Sequence, residues 1–429
     1  MKMAVKSMAI MITTIVSMCN AQTLSEDFKI TSFDGHSLDQ FGISIAISNR
    51  IVAVGSHQDD DNGLNSGSVY LYDIFTGKQL FKLLANDGAI HDNFGRHIAI
   101  DDGMVVVFGS NAVYLFDAST GIQISKLLVS GARAVAIDNG IVVIGAPRTD
   151  GGNGSLSGSV YLFDVLTGMQ ISRLIALEGS QGDLFGHSVA IENGVVAIGA
   201  VQDDDNGIDT GSAYLFDAST GTELFRLLAK DREAGDQFGV SISIDNGIVA
   251  IGASFDDDQG DFSGSAYLFD VSTGKQILKI LPSDGAERVF FGGSIVVNNG
   301  NVAVGAYGNN GSAYLFNVST GNQIAKLLAS DGSDGDSFGI SIDMDNGVVA
   351  IGAYRDDDDG TESGSAYLFS VPARCAADIT GDGELDFKDV SAFLGSFLNE
   401  DPVADFNFDH EFNFFDVSAF LSAFATGCP

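Results

Sequence analysis

The chain has 429 residues, and 57 Asp and Glu residues outnumber 21 Lys and Arg residues, which gives a formal net charge of −36. So negative a field makes nucleic acid and anionic membrane surfaces poor partners.

Residues 1–21 have the organisation of a secretory signal peptide. Two lysines precede a mostly apolar stretch, residues 8–18, and Cys19-Asn20-Ala21 follows it. We expect cleavage after Ala21, which predicts an exported protein that is secreted or held at the cell surface. Acylation of Cys19, as in a lipoprotein, is the alternative, and Met18 is a poor residue before such a cysteine. No later segment approaches the roughly 20 apolar residues that span a bilayer.

The tetrapeptide Tyr-Leu-Phe-Asp, or a near copy, begins at seven tyrosines between Tyr70 and Tyr367, at separations of 44 to 53 residues. The surrounding repeat is clearest over residues 236–285, where the strand-like segments VSISI, IVAIGA, SAYLFD and QILKIL follow one another. Asp-Asn-Gly and Ser-Thr-Gly between them suit tight hairpins. The sequence therefore predicts an all-β, seven-bladed β-propeller over residues 22–371, with the first strand of each blade along the central channel.

The two ends of the array indicate how the ring closes. The seventh repeat stops at Val371 without an outer strand, whereas residues 26–35 (EDFKITSFDG) occupy the place of an outer strand before the first Phe-Gly pair. We expect this N-terminal strand to complete the last blade and remove an exposed sheet edge.

The repeats resemble the FG-GAP family, whose best-known members form the propeller head of integrin α-chains. The third repeat lacks Phe-Gly and reads VSGARAVAIDNG, and Gly-Ala-Pro appears only at residues 145–147. The resemblance implies a propeller fold, but it says little about function, because one fold hosts many activities. The Phe-Gly pairs begin at Phe41, Phe94, Phe185, Phe238, Phe291 and Phe338.

One face of the predicted ring is acidic. The loop between strands two and three and the link to the next blade open on the same side of a four-strand meander, and both are rich in Asp. This face is expected to bind cations or a basic or hydroxyl-rich partner, such as a protein or polysaccharide. A merely solvated acidic surface is the alternative, and the runs do not copy the Asp-x-Asp-x-Asp spacing of integrin calcium loops. The runs are Asp59–Asp61, Asp203–Asp205, Asp256–Asp258 and Asp356–Asp359.

Residues 372–429 contain an internal duplication with a period of 27 residues. Each half has oxygen-bearing residues at positions 1, 3, 5, 9 and 12 and a backbone carbonyl at position 7, the pattern of an EF-hand-type calcium loop. Each loop runs into VSAFL, which predicts a short amphipathic helix. The first predicted ligand set is Asp378, Thr380, Asp382, Glu384 (carbonyl), Asp386 and Asp389. The second is Asp405, Asn407, Asp409, Glu411 (carbonyl), Asn413 and Asp416.

This pair of loops resembles a dockerin, a calcium-dependent module that attaches secreted bacterial proteins to cohesin partners. The resemblance implies bound calcium and a cohesin-like or surface receptor. His410 departs from the pattern, because Gly is expected at position 6 of the second loop, and it predicts a weaker second site. Cys375 and Cys428 bracket the module, and an even pair of cysteines in an exported chain predicts a disulfide.

The sequence favours a non-catalytic binding or adhesion module over an enzyme. None of the six histidines has a recognisable metal or triad spacing, and no Gly-x-Ser-x-Gly motif is present. His97 and His187 follow Phe-Gly pairs, where they are able to face the channel. A dockerin-tethered carbohydrate-active enzyme that uses channel carboxylates is one alternative, and a purely structural surface component is another.

Overall fold

The computed structural model describes residues 22–110, 112–371, 377–380, 385–399, 404, 406 and 412–426. These residues form 29 β-strands in seven sheets and two α-helices. The first strand of every four-strand unit contacts the first strands of the units before and after it, and the last contacts the first. The seven-bladed all-β propeller predicted from the repeats is thereby confirmed.

The strands follow the blades in chain order. The N-terminal strands are β1 (Gln22–Leu24) and β2 (Phe28–Ile30). Blade one contains β3 (Phe41–Ser48), β4 (Ile51–Ser56), β5 (Ser68–Asp73) and β6 (Gln79–Leu83). Blade two contains β7 (His97–Asp101), β8 (Met104–Gly109), β9 (Ala112–Asp117) and β10 (Ile122–Leu127). Blade three contains β11 (Ala134–Asp138), β12 (Ile141–Ala146), β13 (Ser159–Asp164) and β14 (Gln170–Leu174). Blade four contains β15 (Ser188–Glu192), β16 (Val195–Ala200), β17 (Ser212–Asp217) and β18 (Glu223–Leu227).

The remaining blades repeat this order. Blade five contains β19 (Ser241–Asp245), β20 (Ile248–Ala253), β21 (Ser265–Asp270) and β22 (Lys275–Ile280). Blade six contains β23 (Phe291–Asn298), β24 (Asn301–Ala306), β25 (Ser312–Asn317) and β26 (Gln323–Leu327). Blade seven contains β27 (Ser341–Asp345), β28 (Val348–Ala353) and β29 (Ser365–Ser370).

The hydrophobic core lies between neighbouring blades. The second and third strands, such as β20 (IVAIGA) and β21 (SAYLFD), are buried along almost their whole length because a blade covers each face. One cluster joins Leu215 of blade four to Ile251 and Phe269 of blade five. The fourth strands alternate between exposed and buried residues, which places them at the outer edge. The Asn-Gly hairpins need two left-handed residues, and Asn246 and Gly247 have φ values of 48° and 78°.

The N-terminal strand closes the ring, as predicted. β2 pairs antiparallel with β29 and so supplies the fourth strand of blade seven. The preceding strand, β1, pairs parallel with β26 and adds a fifth strand to blade six. This second attachment was not predicted, because three residues carry no periodic pattern that would identify a strand.

The Phe-Gly pairs join adjacent blades through a repeated contact that we call the inter-blade clasp. Phe238 packs edge-on against Tyr267 and Phe269 of its own blade, at ring distances of 5.4 and 5.8 Å. Gly239 has a φ of 97°, and its carbonyl accepts a 2.7 Å hydrogen bond from Ser188 of the preceding blade. The same carbonyl lies against Gly199, where any Cβ would collide with it. Glycine is therefore required on both sides of the contact.

The serine-to-glycine hydrogen bond of the clasp occurs at five blade junctions, including the one that closes the ring between Ser341 and Gly42. The junction of blades two and three is different because blade three has no Phe-Gly pair. Phe108 replaces the glycine on the second strand there, and His97 replaces the serine on the first.

The C-terminal helices are α1 (Phe387–Leu398) and α2 (Phe414–Thr426). Their core is symmetric, because Phe393 stacks on Phe420, its equivalent 27 residues later, with ring centroids 4.1 Å apart. Ala377 and Ala404, a second equivalent pair, are buried in the same cluster. In the part of the chain that the structure describes, no helix is both long enough and apolar enough to cross a membrane.

Candidate functional site

Every blade places a basic side chain from its outer strand over the tyrosine of its third strand. The two residues are cross-strand partners, as in Tyr70 with Lys82 and Tyr267 with Lys279. In all seven blades the charged group lies 4.9 to 5.7 Å from the ring centroid, within the range of a cation–π interaction. In blade seven the N-terminal strand supplies this residue, Lys29 over Tyr367.

In blades one, four, five and seven the basic group also reaches the acidic loops. The Lys82 ammonium lies 3.0 Å from Asp59, 2.6 Å from Asp61 and 2.9 Å from Asp34. We call each such set a cation–carboxylate cluster. The other three are Lys279 with Asp231, Asp256 and Asp258, Lys29 with Asp331, Asp356 and Asp358, and Arg226 with Glu178, Asp203 and Asp205.

In each cluster, a lysine or arginine of the chain partly neutralises the carboxylates of the acidic loops. Burial opposes the charged form of Lys82, but hydrogen bonds to Asp61, Asp34 and Asp59 outweigh it, so the pKa of Lys82 is raised. The hydroxyl of Tyr70 lies 2.8 Å from Asp59 and fixes the buried carboxylate further. Within the described residues, no three carboxylate, imidazole or thiol groups are arranged to hold a metal ion. The cation that these loops contact in the structure is the chain's own lysine or arginine.

These basic residues were not predicted from the sequence, although they leave a signal in it. A Lys or Arg stands at the same place in the outer strand of every blade, in segments such as LFKLL, LFRLL and ILKIL. Recurrence alone did not show that the side chain points toward the acidic loops, because that direction depends on strand register.

The links between blades are ordered by a second group of aspartates. Asp39, Asp183 and Asp236 each accept a hydrogen bond of 2.6 to 2.7 Å from the backbone amide three residues earlier. Burial raises the pKa of each of these carboxyls to about 6, although the backbone hydrogen bond opposes the shift. Each of these carboxylates therefore holds the link between two blades in a turn.

The acidic rim is interrupted between blades two and three. At other junctions the link entering a blade hydrogen-bonds to the neighbouring loop, as when the amides of Gln237 and Phe238 donate to the carbonyls of Asp209 and Thr210. The described residues show no such pairing between blades two and three. Both segments are short there, since residues 110–111 separate β8 from β9 and residues 128–133 separate β10 from β11.

The first C-terminal loop brings three of its predicted ligands together. The Thr380 hydroxyl lies 3.3 Å from the Asp378 carboxylate and 2.8 Å from Asp389. Asp389 is buried, and its oxygens also accept from the amides of Thr380 and Asp386 at 3.0 Å. Burial opposes ionisation, yet these hydrogen bonds lower the pKa of Asp389. Asp386 caps α1 by accepting from the amide of Lys388. Asp382 and Glu384 lie outside the described residues.

The second loop repeats part of this arrangement. Asp416 is buried and accepts hydrogen bonds from the amides of Phe406 and Asn413 at 2.9 and 2.8 Å. Asn413 accepts from the amide of Phe415 at the start of α2. The other predicted ligands of this loop lie outside the described residues: Asp405, Asn407, Asp409 and Glu411. The same is true of His410, Cys375 and Cys428.

One carboxylate lies in the first strand of blade seven, where the channel wall is expected. Asp343 is half-buried, and its oxygens lie 2.8 Å from the amide of Ile47 in the next blade and 2.9 Å from that of Met344. Burial raises the pKa of Asp343 to about 7 despite these hydrogen bonds. The bond to Ile47 gives this carboxylate a role in the contact between blades seven and one.

The ring of seven sheets, six of four strands and one of five, defines this chain as a seven-bladed β-propeller. A profile of the FG-GAP repeat matches seven segments, residues 24–72, 78–116, 132–163, 169–216, 222–269, 275–316 and 322–369. The chain belongs to the FG-GAP repeat family. A comparison with curated proteins gave no match. The matched segments end at residue 369, so they do not extend into the C-terminal loops.

Proposed function

We propose that this protein is an exported, non-catalytic binding or adhesion module. Its propeller presents the acidic face to a protein or polysaccharide partner. Its dockerin-like C-terminal region, residues 372–429, anchors it through calcium-dependent contact with a cohesin-like or surface receptor. The duplicated C-terminal core supports this proposal, because Phe393 and Phe420 pair as equivalent residues of two halves, as the dockerin resemblance implies.

The geometry of the first loop supports calcium binding. Oxygens of Asp378, Thr380 and Asp389 lie together although they are up to 11 residues apart. Carboxylate and hydroxyl oxygens are the ligands that calcium prefers. Asp389 and Asp416 occupy the same position in the two halves, and each ties its loop to the following helix. Bound calcium would neutralise these carboxylates and hold the loops against the helices.

The propeller supports a recognition role because its loops are preorganised. The cation–carboxylate clusters fix the loops of four blades, and the inter-blade clasps hold adjacent blades in register. Fixed loops lose less conformational entropy when a partner binds. FG-GAP repeats are also typical of extracellular proteins, which agrees with the signal-like residues 1–21.

The calcium-dependent anchor is tested by calorimetric titration of residues 22–429. We expect Asp378→Ala combined with Asp382→Ala to remove the first site and reduce the helical circular dichroism of the C-terminal region. The propeller's thermal transition should change little. Glu400→Ala with Asp401→Ala is the matched control, since it removes two acidic charges between the loops. Native calcium affinity and stoichiometry in the first variant would overturn the ligand assignment.

The non-catalytic role is tested by incubating the purified protein with a panel of polysaccharides and measuring both retention and product release. Binding without turnover is the expected result. Release of oligosaccharides would instead establish a carbohydrate-active enzyme. Failure to bind any glycan or cell-surface protein would favour a purely structural component.

A further inference from the structure

Six basic side chains of blades one to four lie at the acidic-face end of the first and second strands. Arg96, Arg133 and His187 each stand immediately before or at the first strand of their blade, and His57 and Arg148 follow the second strands. We call this set the basic arc. Its members are His57, Arg96, His97, Arg133, Arg148 and His187.

One contact fixes the protonation pattern within the basic arc. Nη2 of Arg133 lies 3.1 Å from Nε2 of His187. A guanidinium group has only donors, so the imidazole must accept at Nε2 and carry its own proton on Nδ1. The buried Nδ1 of His187 has no hydrogen-bond partner among the described residues. The pair therefore leaves a donor unused.

Two further buried polar atoms in the arc lack partners within the described residues. One is Nε of Arg133, and the other is Nδ1 of His57, a side chain that is only 8% exposed. Most buried polar groups in proteins are hydrogen-bonded, and leaving one unpaired costs about 1–3 kcal/mol. Three such atoms lie in the basic arc, so its buried polar groups are incompletely paired by the described residues.

The positive charges of the basic arc lie close enough together to shift one another's pKa values. Burial, followed by the charges of Arg96 and Arg148, lowers the pKa of Arg133 to about 10. Burial and the neighbouring arginines also lower the pKa of His97 and His187 to about 3 and that of His57 to about 4. The imidazoles are consequently neutral at pH 7, and the three guanidinium groups repel one another.

The arc lacks the carboxylates that neutralise other basic residues on this face. Among the described residues, no carboxylate lies within 4.0 Å of a guanidinium nitrogen of Arg96, Arg133 or Arg148. By contrast, Lys82 contacts three carboxylates. The chain has 57 acidic residues, yet none of the described carboxylates pairs with these three arginines. Their positive charge therefore favours a negatively charged group from another molecule.

We propose that the basic arc is a binding site for an oxyanion, namely a carboxylate, sulfate or phosphate group of a ligand. The guanidinium groups supply charged donors, and bidentate contacts between arginine and an oxyanion are among the stronger hydrogen bonds in proteins. An anion bound here neutralises the mutual repulsion of the arginines.

The interruption of the acidic rim lies in the same sector. The short loops between blades two and three flank the positions of Arg96, His97 and Arg133. Elsewhere the acidic loops would repel an approaching anion. The change from glycine to Phe108 and from serine to His97 at this junction accompanies the missing Phe-Gly pair. The loss of the clasp and the presence of Arg96, His97 and Arg133 are therefore features of one junction.

Blades six and seven carry tyrosines at the place that His57 has in blade one. Tyr307 and Tyr354 stand at the position of His57, directly after the second strand. Phe290 stacks on Tyr307 with 5.3 Å between centroids, and a side chain at Gly293 would collide with the Tyr307 ring. Phe290 and Tyr307 thus form a flat apolar stack on the face that carries the basic arc.

The test is calorimetric titration of residues 22–429 with sodium sulfate and with inorganic phosphate at constant ionic strength. The test variant is Arg96→Val with Arg133→Val, which installs the residue that blade five has at this position, Val240. Arg232→Gln with Arg288→Gln is the charge-matched control, since both arginines lie in links on the same face. We expect saturable binding of at least one oxyanion, unchanged in the control and weakened about tenfold or more in the test variant.

Two results would overturn the proposal: no saturable binding of either oxyanion, or equal binding by the test variant and the wild-type protein. The thermal transition of each variant shows whether it is folded. If the valine variant unfolds, Arg133→Lys serves instead, because it keeps the charge but removes the planar fork, and it should still weaken binding. Equal binding by the folded lysine variant would likewise overturn the site.

The source of the anion is distinguished with polymers. Retention of the wild-type protein by a sulfated polysaccharide, a polyuronate or a phosphorylated glycan, and not by neutral dextran, identifies the group. This inference rests on the proposed binding role of the propeller. One experimental result can nevertheless reject the basic arc without rejecting the binding role. A polysaccharide that binds wild-type protein and test variant equally would reject the basic arc while keeping the binding function.

Discussion

Replacing Lys82 by methionine tests whether the acidic loops depend on the chain's own cations. Methionine keeps most of the packing of the lysine stem but removes the ammonium group, which lies within 3.0 Å of three carboxylates. Asp59 would then be a buried charge without a cationic partner, because its side chain is only 4% exposed. We expect a clear loss of stability.

The magnitude follows from the exposure of each carboxylate. Removing one partner of a buried ion pair costs about 3–5 kcal/mol, whereas an exposed pair contributes about 0–1 kcal/mol. Asp34 and Asp61 are 44% and 47% exposed, so they add little, and the lysine itself keeps 15% exposure. The expected cost of Lys82→Met is therefore about 2–4 kcal/mol, near the lower part of the buried range.

Urea unfolding of residues 22–429 at fixed salt measures this cost. Lys326→Met is the matched control, because Lys326 lies over Tyr314 in the same way but contacts only Asp284, which is 50% exposed. Its cost should stay below about 1 kcal/mol. Adding Asp59→Asn to Lys82→Met should recover more than half of the loss. Equal costs for the two lysines, or no recovery with Asp59→Asn, would refute the reasoning.

Three other outcomes follow from the structure. The folded pKa of Asp343 is raised to about 7, above the unfolded value of about 3.9, so wild-type stability should fall as pH rises from about 4 to 7. In blade five, Ser243 accepts a hydrogen bond from the amide of Val297 in the next blade, so Asp343→Ser should keep the contact with Ile47 without the charge. This variant should show a flatter dependence of stability on pH and a higher melting temperature at pH 8. An unchanged pH profile would contradict this. Deleting residues 22–30 should lower the melting temperature and promote aggregation, because it exposes the edge of β29. Lys29→Met keeps the strand that covers this edge, so it should destabilise the protein without promoting aggregation. Phe393→Ala should cost the C-terminal core about 3–5 kcal/mol and abolish its helical signal, with the propeller transition as the internal control.

The repeat pattern predicted the propeller because each blade is specified locally. Segments such as IVAIGA and SAYLFD fill both faces of a buried strand, and Asn-Gly turns fix the hairpins between them. The closing role of the N-terminal strand was also predicted, since the seventh repeat lacks an outer strand and residues 26–35 occupy the place of one before the first Phe-Gly pair. The structure adds that Lys29 reproduces the complete cluster of blade one in blade seven.

In the C-terminal region, the sequence predicted a helix after each loop, and α1 and α2 confirm this. It did not predict that Asp386 and Asn413 accept hydrogen bonds from amides in the first turn of each helix. The 27-residue period implied an equivalent pair of loops, and the described residues place Asp389 and Asp416 alike. The stacking of Phe393 on Phe420 was not predicted, because the apolar spacing of VSAFL gives the face of a helix but not its partner ring.

What the sequence by itself determined is therefore what repeats: the number of blades, their four strands, the turns and the closing strand. The tertiary structure alone decided which charges meet. Lys29 and Asp358 are 329 residues apart yet form one ion pair, and the basic arc joins residues of four blades. The physical reason is that backbone hydrogen bonding and hydrophobic periodicity act over a few residues, whereas the field at a charged group depends on every blade that the closed ring brings near it.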